Sequence, residues 1–386
     1  MVRVGPVAQM DSGIAIMKTR LPRQEFLDAL GAIAAVASGR TTKPIFGCVK
    51  VVTEAESIAL SATDGEVALR LGVGSFAVEE PGEAVVAADR LLGIVREMPD
   101  AEIQLDVDER YCVVRGAGSE FKIFVQPPAD FPAIPTFEDE PDLVIDGGLL
   151  WRMIGLTIYA AARETSRYAI NGVLWEKHGK RLYLVATDGR RLARAGGGIL
   201  ESASGDFEAI VPAKALNVFE RVFAPGREQR DWAVDIKVTP NQLLLRSGER
   251  VLSTVLVEGN FPKYQDVIPR ESSKVAHVDR AELHGAVKRA ALLTSDEARA
   301  VKMTFDGDRL TITAQSPEQG EARVELPVEL EGERVEIAFN PAFVNDALKA
   351  LTCDRVRIEL QDGFRPGILC GEDKNEFLYV VMPVSL

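Results

Sequence analysis

Two kinds of hydrophobic pattern alternate along the chain, and the alternation occurs three times. The segments FGCVKVVTEAESIALSATDGEVAL (46–69), INGVLWEKHGKRLYLVATDGRRLA (170–193) and RAVKMTFDGDRLTITAQSPEQGEA (299–322) share one layout. Each places apolar residues at every second position, breaks at a polar turn, resumes the alternation and breaks again. A period of two over short runs bounded by turn residues predicts half-buried strands joined by hairpins. The spacing is nearly constant: 124 residues separate Ala62 from Ala186, and 128 separate Ala186 from Ala314. A repeat of that length corresponds to a whole domain rather than to a solenoid unit.

Helical periodicity brackets every meander. It runs through 21–38, 147–164 and 279–297 ahead of the strands, and through 87–98, 212–223 and 340–351 behind them. Asp89 is placed to cap the first of the trailing helices, and Pro212 and Pro341 suit first turns. Strand pairs come next at 101–116 and 356–371. The proline-bearing phrases DFPAIP (130–135) and NFPKYQDVIP (260–269) close the first two repeats, and VVMPVSL (380–386) the third. Proline removes a ladder donor, so these phrases suit sheet edges and linkers. The pattern therefore predicts an α+β chain of three tandem similar domains, 17–137, 138–270 and 271–386, each with two helices and about eight strands. Residues 1–16 lack the long apolar stretch of a signal peptide and precede a better patterned start at Met17; they read as an N-terminal extension, unstructured or appended.

Composition narrows the function. With 386 residues, 46% hydrophobic and 27% charged, the chain is too long for one ordinary core and has a folded protein's balance. No apolar run reaches the ~18–20 residues that a membrane helix needs, so no membrane partner is expected. Cys48, Cys112, Cys353 and Cys370 are scattered without a CxxC pair, and His178, His277 and His284 lack metal-ligand spacing. These point to a reducing cytoplasm, no metal and no cofactor. Hydrolase, protease, kinase and nucleotide-loop motifs are absent, and GVGSFA (72–77) holds two of the three glycines of a dinucleotide loop but lies between strands. Nothing in the sequence carries a catalytic reading.

Charge modifies this picture. The net charge of −13 argues against a polyanionic partner only if it is spread evenly. The helical cores 21–37, 89–98, 149–163, 213–224, 280–293 and 341–351 together carry +4, leaving −17 on the rest. A basic helical face can hold a nucleic acid through phosphate contacts without reading its sequence. A triplicated protein-interaction scaffold that never meets DNA is the competing reading of the same charges.

Three tandem repeats, the phrase VATDGRRLA, the linker GNFPKYQDVIP and the terminal YVVMPVSL, in that order, resemble the bacterial DNA sliding clamp, the β subunit of DNA polymerase III. The resemblance runs from about Met17 to Leu386. It implies a head-to-tail homodimer, a ring of six domains with helices lining the hole and sheets outside. Duplex DNA would pass through without sequence specificity, and the chain would be a non-catalytic processivity factor. Implied partners are the polymerase catalytic subunit, the clamp loader, other polymerases and mismatch-repair proteins, all docking through short peptides.

The resemblance places that docking pocket between the middle and last domains. The matching residues are Ile170, Thr187, Asp188, Gly189, Arg190, Arg191 and Leu192, with Pro262 and Val267 from the linker and Val380, Val381, Met382, Pro383 and Val384 from the C-terminal strand. The arginines would bond peptide carbonyls or a carboxylate. Asp266 and Ser385 depart from the basic residues frequent in the family. DNA-facing positions implied by the resemblance are Arg40, Arg167 and Tyr168 in loops, with Arg90, Arg96, Arg152, Lys214 and Arg221 on helices.

Overall fold

The computed structural model describes residues 17–37, 43–55, 57–74, 77–116, 118–163, 169–224, 232–294 and 300–385. The extension 1–16 and the loop positions Arg40, Arg167 and Tyr168 lie outside the described residues.

Among the described residues, six α-helices appear where the periodicity places them: α1 Arg23–Ile33, α2 Ala88–Glu97, α3 Gly147–Thr157, α4 Ala213–Val222, α5 Arg280–Ala291 and α6 Pro341–Ala350. Each begins where a strand ends, so its first turn needs a local acceptor. Asp146 accepts from Leu149 N at 2.7 Å, Asp279 from Glu282 N at 2.8 Å and Asn340 from Ala342 N at 2.9 Å. Asp89 does not cap α2; that helix starts at Ala88, and the Asp89 carboxylate accepts from the adjacent Arg90 N within the first turn. Pro341 opens α6, whereas Pro212 sits one residue ahead of α4.

Each repeat holds nine strands among its described residues, rather than eight. The additional ones are short and charged: Val78–Glu80, Glu201–Ser202 and Glu329–Glu331. Each pairs antiparallel with the first strand of its own repeat, Met17–Pro22, Leu143–Asp146 and Lys274–Asp279 respectively. The threefold repetition thus extends to elements with no hydrophobic signature.

Compactness divides the chain into two units rather than three. One comprises the described residues up to Glu140 together with Leu244–Val255; the other comprises Pro141–Leu243 and the residues from Leu256 onward. In the first, strand Arg250–Val255 pairs antiparallel with Val67–Val73, setting Leu252 opposite Leu69. In the second, the middle and last repeats share a sheet, because Arg191–Gly198 pairs antiparallel with Phe377–Val381 and places Leu192 opposite Val380. That seam removes two exposed edges that separate domains would have to protect.

The shared sheet is covered on both faces. On one, α3 packs so closely on Gly197 that a Cβ there would lie 2.7 Å from the Met153 sulfur. On the other, Leu174, Val185, Leu192, Leu378 and Val380 form a cluster beneath Val257, Phe261, Tyr264 and Ile268 of the linker. The strand Gly172–His178 is consequently buried on both sides, and Glu176 and Lys177 are buried with it. The Lys177 ammonium is satisfied by the Ser204 and Gly205 carbonyls at 2.9 and 3.0 Å.

Candidate functional site

The linker leaves part of that face uncovered, and the opening is an apolar cavity of about 210 Å³. Three stretches far apart in sequence wall it. The middle repeat contributes Ile170, Thr187, Gly189, Arg191 and Leu192; the linker Pro262, Lys263, Tyr264 and Val267; the C-terminal strand Val380 and Met382. Leu192 and Val380 form the floor as opposed residues of the seam. Val267 and Met382 stay substantially exposed, at 45% and 40%, at the mouth. A flexible thioether beside aliphatic walls suits an occupant with large apolar side chains that vary in shape.

The turn Thr187–Arg191 shapes one rim. Gly189 takes φ +83°, which side-chain-bearing residues rarely adopt. Arg191 then turns inward and is only 11% exposed. Its guanidinium donates to Asp188 at 3.0 Å, to Asp346 on α6 at 2.6 Å and to the Tyr159 carbonyl at 2.6 Å. It also lies 4.5 Å from the centre of the Phe343 ring. Burial alone would pull its pKa down, but Asp346, Tyr379 and Asp188 outweigh that and hold it above the ordinary value. Arg191 is thus a strut between the turn and α6, not a spare donor for an occupant. Arg190 is exposed, and its carbonyl accepts from Met382 N at 2.9 Å, fixing the start of the C-terminal tail.

Of the fourteen residues expected at the pocket, nine line it. Asp188 supports the turn from behind, and Arg190 lies outside the wall. Val381 alternates to the opposite face of its strand and is fully buried. Pro383 and Val384 lead away, with Val384 N bonded to the Ala338 carbonyl at 2.8 Å. Asp266 and Ser385 are exposed and do not line the cavity. Lys263 and Tyr264 are lining residues that sequence reasoning missed, although both stand in the linker phrase that supplies Pro262 and Val267.

The expected helical cations Arg90, Arg96, Arg152, Lys214 and Arg221 are all exposed. Helix α5 adds Lys288 and Arg289, both exposed in its last turn. His284, one turn before Lys288, has its pKa lowered by burial and by Lys288, Arg280 and Lys349. On α4, burial raises the pKa of Glu220. Exposed cations of this kind attract phosphates without reading base edges. Among the described residues, no three His, Cys, Asp or Glu side chains converge as for a metal, and no helix is long and apolar enough to cross a membrane.

Comparison with known proteins identifies the family. Three family models match in tandem: the N-terminal domain of the DNA polymerase III beta subunit over residues 17–135, its central domain over 144–263 and its C-terminal domain over 265–385. The beta sliding clamp of Pseudomonas aeruginosa is 32% identical over 374 residues, covering 96% of this chain and 100% of the relative. That of Escherichia coli K12 is 32% identical over 371 residues with the same coverage. A solved Pseudomonas aeruginosa sliding clamp bound to griselimycin, 33% identical, superposes with a TM-score of 0.88 over 96% of this chain and 100% of that one. The chain belongs to the DNA polymerase III beta subunit family, the bacterial sliding clamps.

Proposed function

We propose that this chain is a processivity factor of DNA replication. Two copies join head to tail in a ring that encircles duplex DNA, and the cavity beside Arg191 receives short apolar peptides of the polymerase and other DNA-handling proteins. The observation that carries the reading is the cavity itself: an apolar floor on the seam between the middle and last repeats, walled by the three phrases that resemble the family. No catalytic constellation accompanies it among the described residues, and none is needed, because a ring holds its DNA by topology and its partners through the cavity.

Two strand edges support the ring. Gly320–Pro327 is the outer strand of a four-stranded sheet, and Ser119–Gln126 is paired along most of its length on one side only. The second carries Phe121 and Phe124 at 40% and 69% exposure. Unpaired edges with exposed aromatics are templates for joining another copy. The exposed cations Arg90, Arg96, Arg152, Lys214 and Arg221 face the duplex, and their contacts are weak enough to slide because they read no bases. Arg40, Arg167 and Tyr168 are assigned the same role by resemblance. A DNA-bound role places the chain in the cytoplasm.

Light scattering at micromolar concentration tests the ring. A mass near twice 42.0 kDa is expected. After loading, retention on closed circular DNA should disappear on linearisation. A stable monomer, or retention indifferent to linearisation, overturns the ring.

A further inference from the structure

The cavity's linker wall has little of its own to hold it in place. Backbone hydrogen bonds fasten the linker upstream, where Val257 N donates to the Ile210 carbonyl at 2.9 Å and the Asn260 carbonyl accepts from Ala169 N at 3.2 Å. From Phe261 to Ile268, among the described residues, the backbone bond found outside the 3-10 turn's own interior is the local one from Asp266 N to the Lys263 carbonyl at 3.3 Å, and it reaches no other element. The 3-10 turn Tyr264–Val267 has no side-chain cap. Yet Pro262, Lys263, Tyr264 and Val267 form one side of the cavity.

One polar tie reaches from this stretch to the sheet. The Tyr264 hydroxyl donates to the Glu176 carboxylate at 2.5 Å. Both are buried, at 6% and 4% exposure, and Glu176 does not line the cavity. The phenol's pKa is raised by burial first and by Glu176 second, so it remains a donor throughout the physiological range. A charged acceptor buried beneath a wall that lacks backbone anchors is costly to keep unless it holds something in register. The cluster under the ring is apolar and permits sliding; the Arg194 charge and Gln265 also act on the hydroxyl, and the bond to Glu176 is the directional element that reaches the sheet.

We infer that Glu176 is a positioning residue of the peptide pocket, which sets the linker wall through Tyr264 without touching the bound peptide. The inference rests on the peptide-docking reading of the cavity. Without the tie, the wall moves among several positions over the apolar cluster. The apparent affinity for a peptide then falls by the fraction of molecules whose wall is in place.

The test uses the full chain and a fluorescein-labelled synthetic peptide with two adjacent large apolar residues and one acidic residue, read by anisotropy. Four variants are compared: Tyr264→Phe, Glu176→Leu, Glu176→Gln and the floor variant Val380→Asp. Tyr264→Phe and Glu176→Leu should each weaken binding by about tenfold, on the scale of one lost hydrogen bond to a charged group. Glu176→Gln keeps a carbonyl acceptor at the same place and should stay within about threefold of the parent, a rescue that a purely charge-based role does not predict, while Tyr264→Phe keeps the ring and so separates the bond from packing. Independently of any peptide, hydrogen exchange at the bonded Asp266 amide of the 3-10 turn should quicken in Tyr264→Phe and Glu176→Leu while the strand Arg181–Thr187 keeps its protection.

If the parent and Tyr264→Phe bind alike and exchange alike while Val380→Asp abolishes binding, the pocket reading stands and the positioning role falls. If the parent binds no such peptide, the pocket reading falls and takes the affinity role of Glu176 with it. Protection lost throughout the sheet in Tyr264→Phe would make the bond a general fold contact and overturn the inference as well.

Discussion

Thr63–Val67 and Thr187–Arg191 fold into the same turn, and their difference lies entirely in the two residues after the glycine. In both, the threonine hydroxyl accepts from the glycine N at 3.1 Å. That hydroxyl donates to the carbonyl of the fifth residue, at 3.0 Å to Val67 and 2.7 Å to Arg191. Each aspartate accepts from the amides two and three residues on: Asp64 from Glu66 and Val67 at 3.0 and 2.9 Å, Asp188 from Arg190 and Arg191 at 3.0 and 3.1 Å. Gly65 and Gly189 take φ +94° and +83°. Thr-Asp-Gly therefore encodes the backbone and leaves the next two side chains unconstrained. In the first repeat the fifth residue, Val67, is 1% exposed and joins the core. In the second it is Arg191, which reaches α6 and shapes a cavity. One turn serves packing in one place and the rim of a cavity in the other.

Arg191→Ala should set the two turns furthest apart. It takes the guanidinium from Asp346 and the Tyr159 carbonyl, leaves Asp188 only its two backbone donors, and removes the ring contact with Phe343. Buried ion pairs lose several kcal/mol when one partner goes; because Asp346 is 44% exposed and rehydrates, about 2–3 kcal/mol is expected. Val67→Ala should cost less, roughly 1–2 kcal/mol for two buried methyl groups. Urea unfolding of both variants reads the difference. A loss for Arg191→Ala below that for Val67→Ala would refute the strut.

Replacing the glycines comes next. Alanine at positive φ costs roughly 1–2 kcal/mol through clash with its own backbone, equally at both turns. A Cβ on Gly65 would additionally lie 3.1 Å from the Phe46 ring, whereas Gly189 has open space around it. Gly65→Ala should therefore be the more destabilising of the two. Equal losses in denaturant would show that Phe46 yields freely. Smaller still, Thr63→Val and Thr187→Val each remove one side-chain hydrogen-bond pair and should cost about 1 kcal/mol alike; unequal values would mean the turns are not energetically equivalent.

The same two turns mark how far local sequence reaches. They, the six helices and the meanders are legible because each is written in local periodicity or turn chemistry. The strands Val78–Glu80, Glu201–Ser202 and Glu329–Glu331 are not, since two or three residues, glutamates among them, hold no period; they form because a neighbouring strand offers an edge. The seam between middle and last repeats pairs Arg191 with Val381, residues that no local rule connects. That pairing is why three repeats make two compact units. Resemblance supplies the cavity's apolar residues but passes over Tyr264, because an aromatic in a linker reads as ordinary packing. Its partner Glu176 is hidden further, being a charged residue on a strand whose alternation fails through burial on both faces. The misplaced Asp89 cap has the simplest cause: α2 begins one residue earlier than the nearest capping side chain.

Arg190→Ala is expected to change stability least, and its effect on binding isolates what the second turn adds. Arg190 and its counterpart Glu66 are both exposed and both sit fourth in the turn, where the backbone amide rather than the side chain makes the structural bond. Truncating either should shift stability by less than about 0.5 kcal/mol. Their effects on binding should diverge. Arg190 stands beside Met382 at the mouth of the cavity, and, with Arg191 spent on Asp188 and Asp346, it and Lys263 are the cations left to meet an acidic residue of a docked peptide. Arg190→Ala should weaken an acidic peptide a few-fold at low salt and by less at high salt, because an exposed charge contact is screened. Glu66→Ala should leave the same titration unchanged at every salt concentration. If Arg190→Ala binds as the parent does across the whole salt range, the exposed arginine contributes nothing to the rim, and what distinguishes the second turn reduces to the single strut of Arg191.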